Sequence, residues 1–377
     1  MTPAPSHELI FAPVGIAHLT SDNTDLVRAA ARNTRQLRIT TAAQLNGAPH
    51  IGTVVTVLTV FALAAHFAED LDLPATVVFD ALDNAPAEHV VIDGHDYTRT
   101  VADLVDTGHL DPTTRTSGFE HLLAWAAARS SVRYEFRPYT TVYQQLPPVR
   151  ECLHRIASQP EQFAAIVAPA DGIIRIRPRC PQCRLMEKSA EHLTISTSDG
   201  VVQLGSYCPT HGRYRETIDI TGTDGWYDAN TPVRSVQKGF LLAAERDLYQ
   251  ACSISIDGAD WGNAWHAHVL APALATLGIP PQQWPVSIFS PMVLDRSGGK
   301  LSKTLYVRYG AAYADVPEAF LNLDILLSQL GEPALDTLWA EITRWATEPR
   351  RLHRAYTVDY LADLLSPAAR RPSRRIA

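Results

Sequence analysis

Lysine is scarce in this sequence, and its few positions are unevenly spread. The 377-residue chain contains 33 basic residues, of which only four are lysines. Two of the four, Lys300 and Lys303, lie three residues apart and follow the glycines Gly298 and Gly299. Because the rest of the chain carries its positive charge on arginine, compact ammonium groups beside two glycines predict a mobile loop that closes on an anion. We expect that anion to be a polyphosphate.

An excess of positive charge is also missing. The formal net charge is −7, so no overall field draws the chain to nucleic acid. DNA is therefore not an expected partner, whereas RNA held by a local basic patch stays open. Apolar residues make up 46% of the chain and charged residues 19%, as in soluble globular proteins.

Long apolar runs are rare as well. The most apolar segment, 51–68, contains three threonines, one glycine and one histidine, which favours a buried helix over a membrane span. No basic segment precedes an apolar run at the amino end, so we expect no secretory signal. These features predict a cytoplasmic protein that does not interact with a membrane.

Only five cysteines are present, and three of them cluster with a histidine. The cluster consists of two knuckles, Cys180-Pro-Gln-Cys183 and Cys208-Pro-Thr-His211. Three thiolates and one imidazole at this spacing are typical of a tetrahedral Zn²⁺ site rather than of disulfides. Because four protein ligands leave no position for water, we expect this zinc to be structural.

Apolar periodicity predicts an α/β fold with a Rossmann-like parallel sheet. A strand pattern at 36–43 ends in the turn 46–49, a long helix pattern begins at Ile51, and a second strand follows at 75–79. Short β-like runs, the first at 173–176, then predict a small β-rich insertion around the cysteines.

We divide the chain into four regions on this basis. They are the first half of the Rossmann-like domain (1–165), the zinc-binding β-rich insertion (166–225), the second half of the domain with the lysine loop (226–310), and a short helical C-terminal region with a disordered basic tail (311–377).

The sequence Pro49-His50-Ile51-Gly52-Thr53 lies where the first strand gives way to the long helix. The opening turn of a helix has unpaired N–H groups and the positive end of the helix dipole, so it attracts phosphate. His50 can donate a hydrogen bond to a phosphate oxygen, and Gly52 lets a base or sugar lie against the backbone. Taken alone, such a histidine is more often a helix cap or a surface residue.

The lysine loop, 300–304, is by itself more often a solvated turn. Together with the histidine motif about 250 residues upstream, it resembles the signature sequences His-Ile-Gly-His and Lys-Met-Ser-Lys-Ser of class I aminoacyl-tRNA synthetases. The chain has Thr53, Leu301 and Thr304 where those signatures have histidine, methionine and serine.

Two further features are similar to the same family. Residues 257–260, Asp-Gly-Ala-Asp, follow a predicted strand and resemble the Gly-x-Asp segment that contacts the ATP ribose and the amino acid. In isolation, Asp260 is equally compatible with a cap of the next helix. The zinc insertion is placed as in the lysine and methionine enzymes, and residues 232–260 resemble class I lysyl-tRNA synthetases.

Three other carboxylates follow the second strand, at the edge where parallel sheets bind ligands, and their role stays open: Asp80, Asp83 and Glu88.

The resemblance implies an enzyme that activates an amino acid. The substrate carboxylate attacks the α-phosphate of Mg²⁺-bound ATP and forms an aminoacyl-adenylate and pyrophosphate, so catalysis consists of positioning and charge stabilisation. The implied catalytic residues are His50, Lys300 and Lys303. The implied ATP-binding residues are Pro49, Gly52, Thr53, Gly258, Asp260, Ser302 and Thr304. The implied cofactors are ATP, Mg²⁺ and a structural Zn²⁺ on Cys180, Cys183, Cys208 and His211.

Three functions stay open from the sequence. The first is a lysyl-like tRNA ligase that charges the acceptor end of a tRNA. The second is a ligase that passes the activated amino acid to a small molecule or peptide without tRNA, because only about 70 residues follow the lysine loop and anticodon-binding domains are usually larger. The third is a catalytically silent paralogue that binds RNA or protein. The amino acid itself is not named by any motif, because side-chain pockets are built from scattered residues.

Overall fold

A computed structural model describes residues 23–116, 118–301 and 316–366 of the chain. The predicted loop residues Ser302, Lys303 and Thr304, and the predicted disordered tail, lie outside these ranges. The strands in chain order are β1 (Gln36–Gln44), β2 (Ala75–Leu82), β3 (Pro86–Ile92), β4 (His95–Thr100), β5 (Arg133–Pro138), β6 (Ile176–Pro178), β7 (Met186–Glu187), β8 (Thr194–Ser198), β9 (Val201–Cys208), β10 (Gly212–Asp219), β11 (Tyr227–Ala229), β12 (Ala251–Gly258), β13 (Val286–Ser290), β14 (Val293–Leu294) and β15 (Tyr356–Thr357).

The α-helices are α1 (Asn23–Ala30), α2 (Ile51–Leu71), α3 (Val101–Asp106), α4 (Phe119–Ser130), α5 (Pro147–Ser158), α6 (Pro160–Val167), α7 (Thr231–Tyr249), α8 (Ala271–Thr276), α9 (Glu318–Leu321), α10 (Leu323–Leu330), α11 (Pro333–Thr347), α12 (Pro349–Leu352) and α13 (Val358–Leu365). A π-helix covers Gly262–Leu270, and short 3₁₀ turns cover Pro112–Arg115, Tyr143–Gln145 and Pro281–Gln283.

The central sheet has five parallel strands in the order β13-β12-β1-β2-β5. The chain runs from β1 through β2 to β5 on one side and later adds β12 and β13 on the other side of β1. This arrangement has a topological switch point between β1 and β12, and such sheets bind ligands outside the carboxyl ends of the strands at that point. The predicted α/β fold with a Rossmann-like parallel sheet is confirmed.

Helix α2 fills the space between the sheet and the C-terminal helix α11. Its cap is His50, whose ring Nδ1 accepts a hydrogen bond from the N–H of Gly52. It ends at Asp72, which adopts a left-handed φ of 52° and donates its N–H to Ala68. The helix is long and apolar enough to cross a membrane, but 67% of its most apolar stretch is buried inside the protein. It is therefore a core helix, as its polar interruptions predict.

The insertion is β-rich, as predicted. Strands β8, β9 and β10 form an antiparallel sheet, while β6 pairs with β11. Ile176, Val202 and Leu204 pack with residues of α5, α6 and α7 in a hydrophobic cluster separate from the one around α2. The division of the chain into four regions stays a prediction.

The strand predicted at 173–176 is wrong in its bounds, because β6 begins only at Ile176. Residues 172–175 belong to no strand and follow a turn at 169–171. Asp171 accepts a hydrogen bond from the N–H of Ile173 at 3.0 Å and pairs with Arg175 at 2.5 Å. These side-chain contacts satisfy the backbone locally and compete with strand pairing.

The hairpin β3–β4 has no counterpart among the predicted elements. Its turn is Asp93-Gly94, and both residues have positive φ, 51° and 81°. Such a dipeptide is a strong hairpin signal, because the favoured two-residue turn needs positive φ at both positions. Apolar periodicity did not predict these strands, because the side chains of β3 alternate between exposed and only partly buried positions.

The helices after the lysine loop belong to the main core. Leu335, Leu338 and Trp345 of α11 are fully buried in the cluster that contains α2. Just before them, the N–H of Leu323 donates to the carbonyl oxygen of Pro49 at 2.9 Å. This hydrogen bond joins the helical C-terminal region to the turn that carries the histidine motif.

Candidate active site

One cavity lies outside the carboxyl ends of β1 and β12, at the switch point of the sheet. Its volume is about 290 Å³. Of the ten residues predicted to act on or bind ATP, three lie outside the described ranges, and the other seven all line this cavity. The seven are Pro49, His50, Gly52, Thr53, Gly258, Asp260 and Lys300. Tertiary structure therefore brings three sequence motifs to one cleft, although more than 200 residues separate the histidine motif from the other two.

His50 is held in place by the first turn of α2. Its backbone is extended (φ −83°, ψ 167°), and its Nδ1 accepts from the N–H of Gly52 at 3.0 Å. In the neutral ring the proton then resides on Nε2, which is the donor nitrogen of the ring. A Cβ added to Gly52 would lie 2.8 Å from His50 Cε1. The absence of a side chain at Gly52 thus makes room for the imidazole. This contact explains the glycine more directly than the expected contact with a base or sugar does.

Lys300 and Asp260, which come from two different motifs, contact each other directly. The Nζ of Lys300 donates to Asp260 Oδ2 at 2.5 Å, and the two side chains are 45% and 31% exposed. An ion pair this open to solvent stabilises the fold by about 1 kcal/mol or less. Either partner can therefore leave the pair for a ligand at little cost. Asp260 is not a helix cap, since the cap position of the π-helix is Trp261.

The glycines before Lys300 form a tight turn. The N–H of Asp295 donates to the carbonyl oxygen of Gly299 at 2.8 Å, and the Asp295 carboxylate accepts from the N–H of Ser297 at 2.8 Å. Gly298 has a φ of 84°, which side chains rarely allow. Directly after the turn, the N–H of Leu301 donates to the carbonyl oxygen of Val293 at 2.9 Å. The base of the lysine loop is therefore anchored to β14.

Two cations of α7 also line the cavity and were not predicted. Lys238 donates to both carboxylate oxygens of Asp257 at 2.9 Å, and Asp257 also accepts from Ser255. Arg234 lies one helical turn earlier and donates to the carbonyl oxygen of Ala229 at 3.0 Å. Their spacing of four residues places both on one face of the helix. The scarcity of lysine, which identified the loop, was a usable signal for Lys238 as well.

Of the three carboxylates that the sequence placed after the second strand, only Asp80 lines the cavity, and it lies within β2 near its carboxyl end. It pairs with the buried Arg137 at 2.5 Å. Burial lowers the pKa of Arg137, but Asp80 and the buried Glu245 outweigh it and raise the pKa overall, so the cation stays charged beneath the site. Asp83 accepts from Thr140 instead.

Glu88 lies elsewhere, on the hairpin β3–β4, and pairs with Arg99. It has no contact with the cavity, because it projects from β3 and not from the carboxyl end of a strand in the central sheet.

The four predicted zinc ligands come together in the insertion. Their donor atoms all lie within 4.8 Å of one another. Cys180 Sγ and Cys208 Sγ lie 3.4 and 3.5 Å from His211 Nδ1, and Cys183 Sγ lies 3.5 Å from Cys208 Sγ. Metal bonds of about 2.0–2.3 Å in a tetrahedron require donor separations of roughly 3.3–3.8 Å, so the arrangement fits Zn²⁺.

Neither family models nor curated proteins give a match to this sequence. Solved structures similar to it include the glutamate-tRNA synthetase of Elizabethkingia anophelis, at 13% identity and a TM-score of 0.32, covering 73% of this chain and 54% of that one. A putative arginyl-tRNA synthetase from Campylobacter jejuni is 11% identical with a TM-score of 0.31, covering 91% and 88%.

A third is a glutamate tRNA ligase of Elizabethkingia meningosepticum, solved with its amino acid. It is 14% identical with a TM-score of 0.37, and the alignment covers 87% of this chain and 68% of that one. This chain therefore spans about half the length of the first of these proteins. At this level of similarity the names of these proteins do not assign a function to this chain.

Proposed function

We propose that this protein activates an amino acid with ATP, forming an aminoacyl-adenylate and releasing pyrophosphate. The supporting observation is that His50 at the start of α2 and Lys300 at the base of the lysine loop line one cavity at the switch point of a parallel sheet. A phosphate chain is the ligand that a helix start, an imidazole donor and an ammonium group would hold together.

Each group has a separate task in this reaction. The first N–H groups of α2 and Nε2 of His50 would bind the ATP phosphates. Lys300 would exchange Asp260 for the departing pyrophosphate, and Asp260 would then accept from a ribose hydroxyl or a substrate ammonium. Lys303, with Ser302 and Thr304, would close over the phosphates. Mg²⁺ would be bound with the phosphates and neutralise part of their charge.

Zn²⁺ would be bound by Cys180, Cys183, Cys208 and His211 and would stabilise the insertion. The four donors complete a tetrahedron, and the Nε of Arg99 donates to the Cys183 carbonyl oxygen at 2.8 Å. The ion would thereby hold the insertion against the hairpin β3–β4. Deprotonated thiolates are kept in reducing compartments, so a cytoplasmic location belongs to this proposal.

A lysyl-like tRNA ligase is the first candidate for the complete reaction. It rests on the placement of the zinc insertion and on the sequence of residues 232–260. The similar solved structures do not add to this candidate, because their names refer to glutamate and arginine. The second candidate is a ligase that does not use tRNA. It is favoured by the burial of Leu338 and Trp345 of α11 against the core that contains α2, which makes these helices part of the core and not a separable RNA-binding unit. A silent paralogue is the third.

The decisive experiment is amino-acid-dependent exchange of pyrophosphate into ATP, tested with each of the twenty amino acids. We expect exchange with one amino acid or a small related group. If no amino acid supports exchange, the protein is not an adenylating enzyme, and the third candidate, a catalytically silent paralogue, is favoured. Charging of added tRNA then separates the first candidate from the second.

Lys300→Ala should lower the exchange rate about 10- to 100-fold, the loss expected for one charge-assisted contact made in the transition state. Lys303→Ala should act in the same direction. Lys188→Ala is the matched control, because Lys188 follows β7 in the insertion and does not line the cavity. Unchanged turnover in both loop variants would remove the loop from the mechanism.

A further inference from the structure

A group of two carboxylates and two imidazoles lies where the hairpin β3–β4 meets the insertion, and neither the cavity nor the cysteine cluster uses it. One ring nitrogen of His95 and one oxygen each of Glu187 and Glu191 lie within 4.8 Å of one another. His192 joins them through a hydrogen bond to Glu187. We propose that these residues form a second metal site, which binds a divalent transition ion such as Zn²⁺.

The pairing of β4 with β7 brings the first two residues together. Tyr97 of β4 lies opposite Glu187 of β7 in antiparallel register. His95 lies two residues before Tyr97, so its side chain projects from the same face of the strand. Diagonal neighbours on one face are within reach of long side chains. His95 and Glu187 are therefore placed side by side although they lie 92 residues apart in sequence.

A tight turn returns the other two residues to the same place. Ala190 has a left-handed φ of 58°, which reverses the chain after β7. The N–H of His192 then donates to one oxygen of Glu187 at 3.0 Å, and its ring Nδ1 lies 2.8 Å from the other oxygen. Glu191 is held beside His95, with 3.8 Å between His95 Nδ1 and a carboxylate oxygen.

The two carboxylates at this place have histidines as their charge partners. The side chain of Glu187 is only 1% exposed. Within the described parts of the chain, the ion-pair partners of Glu187 and Glu191 are the two histidines, and neither pairs with a lysine or arginine. A histidine carries a positive charge only when it is protonated, and burying a carboxylate without a countercharge is costly. One divalent cation would compensate both carboxylates at once.

The donor set indicates which ions fit. One imidazole nitrogen with carboxylate oxygens suits Zn²⁺, Co²⁺ or Ni²⁺ better than Ca²⁺ or Mg²⁺, which prefer oxygen alone. His95 and Glu191 are 40% and 53% exposed, so their side chains are free to rotate onto the ion. His192 would stay outside the coordination sphere and orient Glu187 by its hydrogen bond. The ion would fasten the hairpin to the insertion.

The test is calorimetric titration of the full chain, free of affinity tags, after one equivalent of Zn²⁺ has filled the cysteine site. We expect wild type to take up one further equivalent of Zn²⁺. In His95→Ala and in Glu191→Gln, which keeps the size of an exposed side chain, that second binding should weaken at least tenfold. The matched control is His89→Ala, a histidine of the same hairpin that lies 3.1 Å from Asp96 and outside the group.

A wild-type protein that binds only one Zn²⁺ would overturn the proposal and leave imidazolium pairs as the charge partners. Equal binding by wild type, His95→Ala and Glu191→Gln would also overturn it, because the second ion would then lie elsewhere on the surface. Circular dichroism of each variant checks that the fold is retained. The result does not depend on the proposed adenylation, since no substrate is added.

Discussion

At the scale of single residues, the first turn of α2 depends on an absent side chain. The His50 imidazole lies against the α-carbon of Gly52, and a methyl group there would come within 2.8 Å of it. The same imidazole accepts from the Gly52 N–H. One glycine therefore fixes both the orientation of the ring and the nitrogen that it presents to a ligand.

Gly52→Ala should displace the imidazole and lower the exchange rate at least tenfold, while the melting temperature stays nearly constant because alanine is favourable in a helix. ATP–pyrophosphate exchange and thermal unfolding measure the two effects. The control is Gly222→Ala in the insertion, where the atom nearest to an added Cβ belongs to Asp219 at 3.3 Å and exchange should not change. Full activity of Gly52→Ala would show that the position of the ring does not matter.

At the scale of elements, the strands that pair the insertion with the rest of the protein are short, since β6 pairs with β11 and β7 with β4. Strands β6, β7 and β11 have only two or three residues each, which are marginal lengths for independent pairing. The cysteine cluster joins the turn before β7 to the turn after β9. A metal ion there would supply the cross-link that short strands cannot.

Cys208→Ser, or removal of metal by a chelator, should empty the cysteine site of Zn²⁺ and lower the melting temperature, since metal binding is coupled to folding in such sites. Metal analysis and thermal unfolding measure both. Zn²⁺ but not Mg²⁺ should restore the chelated protein. Cys252→Ala, a buried cysteine outside the cluster, should keep its zinc; a chelated protein with unchanged stability would contradict a structural role.

At the scale of the whole molecule, the cavity exists only because both halves of the sheet are in place. β1 and α2 supply the histidine side, whereas β12 and the turn after β14 supply Asp260 and Lys300. A ligand that contacts both sides stabilises the folded state in proportion to its occupancy.

Mg²⁺-ATP at about 100 times its Kd should add about 2.7 kcal/mol to the free energy of unfolding, or about 3 °C in melting temperature for a chain of this length. His50→Ala and Lys300→Ala should each reduce the shift, because they remove contacts from opposite sides of the cavity. If only one of them does, the two motifs do not share a ligand, and the proposed chemistry fails even if ATP binds.

Many of the secondary-structure elements and the metal-ligand motif could be predicted from the sequence alone. The strands β2, β12 and β13 and the long helix α2 follow from runs rich in apolar residues and bounded by turns, since these signals are local. The spacing of the cysteine knuckles is likewise local, because each pair of ligands lies within one turn.

What the sequence determined by itself is the identity of the groups: a histidine at a helix start, lysines in a glycine turn, and sulfur ligands in pairs. What the tertiary structure decided is which of these groups meet. Lys300 pairs with Asp260, Lys238 faces the cavity, and His95 reaches Glu187. These contacts depend on sheet register and on chain reversals between distant segments, which single-residue patterns do not encode.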